Sequence, residues 1–277
     1  MRVTLWGTRG SIASAGPDTI AYGGNTACVE VEADDGTVVI LDAGTGIRRV
    51  GMTYRQPRRL DVLLTHLHMD HIQGLGFFVP LFQAGFAIHL WGPPSTTLDL
   101  RDRLSRYLSP PLFPVRLRDV DARLELHDVP SGPFLIGGLE VHGQAVIHPG
   151  PTLGYRIVDG ARSLAYLPDH EPALGSWSGV DASDWTSGMG LATGADLLLH
   201  DCQYTAAEYR DRVGWGHSRI SDAIALATAA GARRLVTFHH DPAHDDVFLD
   251  AMLSSVRVTA GGDLPILAGR EGDTYQL

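Results

Sequence analysis

Short runs of β-branched and apolar residues, each closed by a turn signal, recur along the chain. They predict strands at 2–6, 27–33, 37–41, 61–65 and 87–91, and again at 123–127, 139–147, 153–158, 163–167, 196–200 and 234–238. The spacing turns helical at 95–107, 204–212, 219–231 and 245–256; in the third of these Ile220, Ile224 and Ala227 share a face. Ser218 stands where an N-cap for that helix is expected. Strand-rich stretches with interspersed helices predict an α/β chain with two sheets covered by helices. No low-complexity linker and no repeat of solenoid period breaks the pattern, so one domain over 1–277 is expected. Residues 173–194 have no clean period and read as a long ordered loop, a kind of segment that is often functional.

Composition narrows the class. A chain of 277 residues with 44% hydrophobic and 19% charged residues can bury a sizeable core and does not read as disordered. The opening MRVTLWGTRGSIASAG has no apolar stretch of secretory type, and the most apolar segment is broken by Pro80, Gln83 and Gly85. A soluble cytoplasmic protein without a membrane partner is the expectation. Two cysteines, Cys28 and Cys202, are too few for a disulfide framework and read as free thiols. The formal net charge is -10, and all 22 basic residues are arginine. Long nucleic acids are therefore disfavoured, because binding them needs a basic face that releases counterions. A small anion remains compatible, since a few local cations or metals can hold it against the overall field.

Candidate chemistry concentrates in THLHMDH, residues 65–71, directly after the apolar run DVLL. Positions i and i+2 of an extended chain point to the same side, so His66 and His68 can grip one metal together. A turn after them would swing Asp70 and His71 toward a second point nearby. Imidazole and carboxylate are ligands that zinc, manganese and iron accept. A single histidine is by default structural; four ligand-type side chains in H-x-H-x-D-H at a strand end are hard to explain that way.

THLHMDH resembles the signature of the metallo-β-lactamase superfamily, and the resemblance extends over nearly the whole chain. In VVILDAGTGIRRVG, Asp42 would support a ligand; VIHPG supplies His148, AYLPDHEP supplies Asp169, and LVTFHHDP supplies His239, with His240 as the adjacent alternative. The resemblance implies a four-layer αβ/βα sandwich of two mixed sheets flanked by helices. It also implies one metal held by His66, His68, His148 and Asp169, and a second held by Asp70, His71, Asp169 and His239. The cofactors would be two divalent ions, zinc by preference and manganese or iron as alternatives. Ions roughly 3.5–4 Å apart can hold a bridging hydroxide and clamp the attacking and leaving oxygens. Relatives are frequently dimers, which makes a homodimer an expectation by analogy.

LLLHDCQYTAAEY places Asp201 after a strand, and GWGHSRISDAIALA places His217 at the mouth of a helix. These resemble the ribonuclease Z-like and cyclic-nucleotide phosphodiesterase-like branch, in which an acidic residue and a histidine form a pair. The implied catalytic set is Asp70, Asp201 and His217, with His217 protonating the leaving oxygen. Ribonuclease Z carries a Glu where Asp201 stands, and the 21 positions from His148 to Asp169 leave no room there for an arm that grips transfer RNA. A small phosphodiester, such as a cyclic nucleotide, is the expected substrate. A lactone or thioester hydrolase on the same centre is the alternative, and a metal-bearing sensor without turnover is the third reading. Gly7, Gly10, Gly23 and Gly24 read equally as turn glycines or as backbone close to the metal pocket. Trp177, Trp185 and Trp215 read as loop plugs, the arginines of 48–59 as solvated surface, His170 as a hydrogen-bonding neighbour, and His89, His127, His142, His200 and His244 as structural.

Overall fold

Val38–Leu41 shows how the layers arise. All four residues are buried, yet Val38 and Ile40 belong to one apolar cluster and Val39 and Leu41 to another. Successive side chains of a strand point to opposite faces, so a strand apolar on both faces needs a cover on each. The computed structural model, which describes residues 1–172, 186–259 and 263–277, supplies helices on one face and a second sheet on the other.

In chain order the first sheet takes β1 (Arg2–Gly7), β2 (Cys28–Glu32), β3 (Val38–Leu41), β4 (Arg59–Leu63), β5 (Ala87–Gly92) and β6 (Arg123–Asp128). The second takes β7 (Phe134–Ile136), β8 (Leu139–Ala145), β9 (Leu153–Asp159), β10 (Arg162–Leu167), β11 (Leu197–Asp201), β12 (Leu235–Phe238) and β13 (Ile266–Ala268). The last strand, β14 (Thr274–Gln276), returns to pair antiparallel with β1. Both sheets are mixed: β3 to β6 and β10 to β13 run parallel, and the remaining pairs are antiparallel.

The helices follow as α1 (Ile47–Thr53), α2 (Met69–Ile72), α3 (Leu100–Ser105), α4 (Met189–Ala192), α5 (Ala206–Tyr209), α6 (Ile220–Ala229) and α7 (Asp246–Thr259). Ile47, Val50, Ile72 and Leu104 of α1 to α3 close over the outer face of the first sheet. Leu191, Ala223, Leu226, Leu249 and Leu253 of α4, α6 and α7 close over the second. Between the sheets lie Val3, Val29, Leu63, Tyr155, Tyr166, Leu199 and Phe238. Helix, sheet, sheet, helix is the expected four-layer αβ/βα sandwich. Cys28 and Cys202 are both free and buried, and among the described residues no helix is long and apolar enough to cross a membrane.

Several expected boundaries move. The stretch 95–107 is helical only over α3, because the Asp99 side chain accepts from the backbone N–H of Asp102 at 2.7 Å and starts the helix there. The stretch 204–212 shrinks to the single turn of α5, capped reciprocally by Thr205 and Glu208. Ser218 does not cap α6: Arg219 holds that position, and the Ser218 hydroxyl donates instead to the carbonyl of His170. The expected loop 173–194 contains the helical turn α4; residues 173–185, with Trp177 and Trp185, lie outside the described residues.

Candidate metal centre

β4 carries the chain through Leu64 and Thr65 to His66. His68, extended at φ −67° and ψ 153°, is the residue before α2, so that one helical turn swings Asp70 and His71 back toward the strand ends. His148 follows β8, Asp169 follows β10, and His239 follows β12, so the seven side chains converge at one rim of the sandwich. The carboxyl ends of strands are where an open α/β sheet leaves room for a site.

Three overlapping groups meet here, each with its ligand atoms within 4.8 Å of one another: two are the expected sites, His66, His68 and His148, and Asp70, His71, Asp169 and His239, and the third joins Asp169 and His239 to Asp201 and His217. Asp169 reaches both expected sites. Its Oδ2 lies 3.5 Å from Nε2 of His66 and 2.9 Å from Nε2 of His71, and its Oδ1 lies 2.7 Å from Nε2 of His239. Nε2 of His148 stands 3.2 Å from Nδ1 of His68. Nε2 of His66, Nε2 of His71 and Oδ1 of Asp169 are buried without a hydrogen-bond partner despite these short approaches. Buried polar atoms are normally satisfied, so three orphans aimed at common points fit a missing partner that all of them contact. The donor set, three imidazoles on one side, two on the other and carboxylates between and beside them, suits divalent zinc, manganese or iron. The residues present therefore fit two metal ions.

Electrostatics divides the groups in the same way. Burial holds His66, His68 and His148 below the ordinary histidine value, which keeps them neutral and able to offer a lone pair. Burial also works against a charged His71, but Asp169, Asp70 and Asp42 outweigh it and raise its pKa well above normal. His239 is treated likewise: burial opposes the charge, and Asp169 and Asp70 lift its pKa to about 10. This half of the pocket stabilises positive charge.

Outer contacts fix the rings. Nδ1–H of His71 donates to Oδ2 of Asp42 at 2.8 Å, and Asp42 also accepts from the Thr65 backbone at 2.7 Å and the Tyr166 hydroxyl at 3.0 Å. Nδ1–H of His148 donates to the carbonyl of Gly216 at 2.9 Å. Nδ1–H of His239 donates to Oε1 of Gln203 at 2.9 Å, and the Ser11 N–H donates to Oδ2 of Asp70 at 2.8 Å. Such partners set the tautomer and direction of a metal-binding ring. Ser11, Asp42 and His239 are the non-glycine residues with positive φ among the described residues, at 60°, 60° and 58°. All three border this centre, where strained backbone is commonly stored.

Asp201 ends β11 and is fully buried. Its Oδ2 accepts Nδ1–H of His217 at 2.7 Å, and its Oδ1 accepts from the backbone of Gln203 and Ser218 at 3.0 and 3.2 Å. The His217 ring lies flat against that of His239, 4.9 Å between centroids. Glu171 holds the loop that carries His217 by accepting from the N–H groups of Gly214 and Gly216 and from the Tyr209 hydroxyl.

Other histidines fall outside the centre. His240 turns away and bonds the carbonyl of Gly269. His170 and His200 bond each other at 2.9 Å, and His170 also meets the Ser187 hydroxyl. His89 and His127, which the sequence gives no constellation, meet at 2.9 Å with Glu125 beside them. Of the glycines, Gly10 is backbone close to the pocket, packed against the ring of His239. Trp215 is 59% exposed rather than a plug, and the arginines of 48–59 are exposed as expected. Thr65, Tyr166, Glu171 and Gln203 lie inside the motifs quoted above, and Ser11 in the opening stretch, but the sequence gives none of them a role.

The family model for the beta-lactamase superfamily domain matches residues 37–240. The uncharacterized protein ML1173 of Mycobacterium leprae is 30% identical over 291 residues, covering 100% of this chain and 89% of that protein. A ribonuclease Z of Myxococcus xanthus is 27% identical over 288 residues, covering 88% of each. Among solved structures, the metallo-beta-lactamase fold protein YhfI of Bacillus subtilis superposes with a TM-score of 0.72 at 20% identity, covering 99% of this chain and 98% of that one. With its two mixed sheets, its helical covers and its rim of histidines and aspartates, the chain belongs to the beta-lactamase superfamily and has the metallo-β-lactamase fold.

Proposed function

We propose that the protein is a dinuclear metal-dependent phosphodiesterase acting on a small phosphodiester, cyclic nucleotides included. The observation that carries this reading is the Asp201–His217 pair beside the candidate metal centre. His66, His68, His148 and Asp169 would hold one ion, and Asp70, His71, Asp169 and His239 the other. Two such ions supply charge for the phosphoryl oxygens and make a nucleophile from water at neutral pH.

The chain's own residues do the rest. Asp201 accepts a hydrogen bond from Nδ1–H of His217, which fixes the ring, and in its doubly protonated form the ring gives its Nε2 proton to the leaving oxygen. A positioned acid of this kind contributes about 10²–10⁴-fold. Carbonyl substrates with good leaving groups have little use for such a donor, which favours phosphodiesters over lactones and thioesters. A relative named ribonuclease Z points to the same bond, while the net charge of -10 disfavours long polyanions.

The test is hydrolysis of bis(p-nitrophenyl) phosphate, a lactone and a thioester by protein loaded with zinc or manganese. Turnover of the phosphodiester above the other two supports the proposal. A fully metallated protein that cleaves only the carbonyl substrates overturns it.

A further inference from the structure

Two open recesses flank the centre. The first, about 500 Å³, has His66 and His68 in its wall together with Met69, Ile72, Tyr107 and Leu112. The second, about 520 Å³, has His217 in its wall together with Ser11, Gln203, Tyr204, Arg212 and Trp215. Pro149 belongs to both walls, so the divide between them runs beside His148.

We infer that the substrate is a linear phosphodiester whose retained substituent is a large apolar group seated in the first recess. The inference rests on the phosphodiesterase reading and narrows it from small phosphodiesters in general, cyclic ones included, to linear ones. Of the two recesses, it is the second that has His217 in its wall, so the group whose oxygen takes its proton departs there. In the reaction one water is consumed. Its oxygen bonds phosphorus, and the bond from phosphorus to the leaving oxygen breaks with its electron pair. That oxygen takes a proton from Nε2 of His217, and a proton of the water replaces it. The other substituent of phosphorus must then extend along the first recess.

Most of that wall is apolar; its polar members besides the two histidines are Ser95, Thr97, Arg103, Arg106 and Tyr107. Met69 is 50% and Leu112 70% exposed, which for large hydrophobic side chains at the edge of a site marks a surface that a ligand covers. Tyr107 has already given its hydroxyl to the carbonyl of Gln73 at 2.6 Å, and Arg103 donates to the carbonyl of Pro93 at 2.7 Å. Ser95 and Thr97 share a hydrogen bond at 3.2 Å, so the exposed Arg106 is the main polar group this wall offers a substituent. A cyclic diester has both ester oxygens on one sugar and would leave one recess empty.

Methyl and n-hexyl esters of p-nitrophenyl phosphate share a leaving group and differ only in the retained group, so their kcat/KM ratio reads the first recess. With metal-loaded protein the hexyl ester should be favoured about ten-fold or more, as apolar groups in an apolar pocket are. Leu112→Asp should cut that preference several-fold at an unchanged melting temperature, while Trp215→Ala, in the other recess, should leave the ratio standing. A ratio near one, or a ratio indifferent to Leu112→Asp, overturns the inference while the phosphodiesterase reading survives. Cleavage of neither ester by fully metallated protein overturns both.

Discussion

A β-carbon added to Gly10 would lie 2.3 Å from Nδ1 of His239, a contact that real side chains do not make. Gly10 has nowhere to go, because its N–H donates to the carbonyl of His240 at 2.9 Å. The ring is equally held, through Gln203. Gly10→Ala must therefore move His239 off Asp169 and Asp70. Metal content measured by elemental analysis should fall from two ions per chain toward one, with the circular dichroism spectrum retained. Two ions retained in Gly10→Ala would show that His239 is not a ligand.

Asp42 stands behind His71 rather than in the centre. Asp42→Asn keeps the shape but weakens the acceptor that orients the ring and compensates its charge. Loss of such a partner weakens metal binding by about 10–100-fold. A competition titration with a chelator should find the loss in one ion and not in the other.

The pair His170 and His200 predicts acid lability. Ser187 Oγ–H donates to His170 Nε2, His170 Nδ1–H to His200 Nε2, and His200 Nδ1–H to the Asp201 carbonyl, so each ring carries one proton and a second would break a bond. Burial holds both groups below the ordinary value. An unfolded histidine titrates near 6.5, so below about that pH the unfolded chain binds more protons than the folded one. The stabilisation is complete above that point and is lost as pH falls toward the folded values. Urea unfolding of metal-free protein at pH 7 and pH 5 should show the loss. His200→Gln should show a smaller one, and an equal slope in both proteins would count against this origin.

How far these residues could be read from the sequence depended on distance along the chain. His66, His68, Asp70 and His71 are legible because the strand period and one turn bring them together within seven positions. The pairing of His89 with Glu125 and His127 is not, because it comes from the parallel register of β5 on β6, 36 positions apart. Gln203 and Tyr166 matter through partners 36 and 124 positions away, and no local pattern marks them. The strands of the sandwich show in their alternation. The single turns α2, α4 and α5 are too short to show a helical period, and Ser218 had the composition of a cap but a stronger tie to His170.

The most direct test of the account is the dependence of His217 on the leaving group. Wild type and His217→Ala, both verified to hold the same metal content, are compared on a p-nitrophenyl diester and on a dialkyl diester. The account predicts a loss of about 10²–10⁴-fold in kcat on the alkyl ester, whose departing oxygen needs a proton, and a small loss on the nitrophenyl ester. Equal losses on both substrates would contradict it, because His217 would then serve the site without protonating the leaving group.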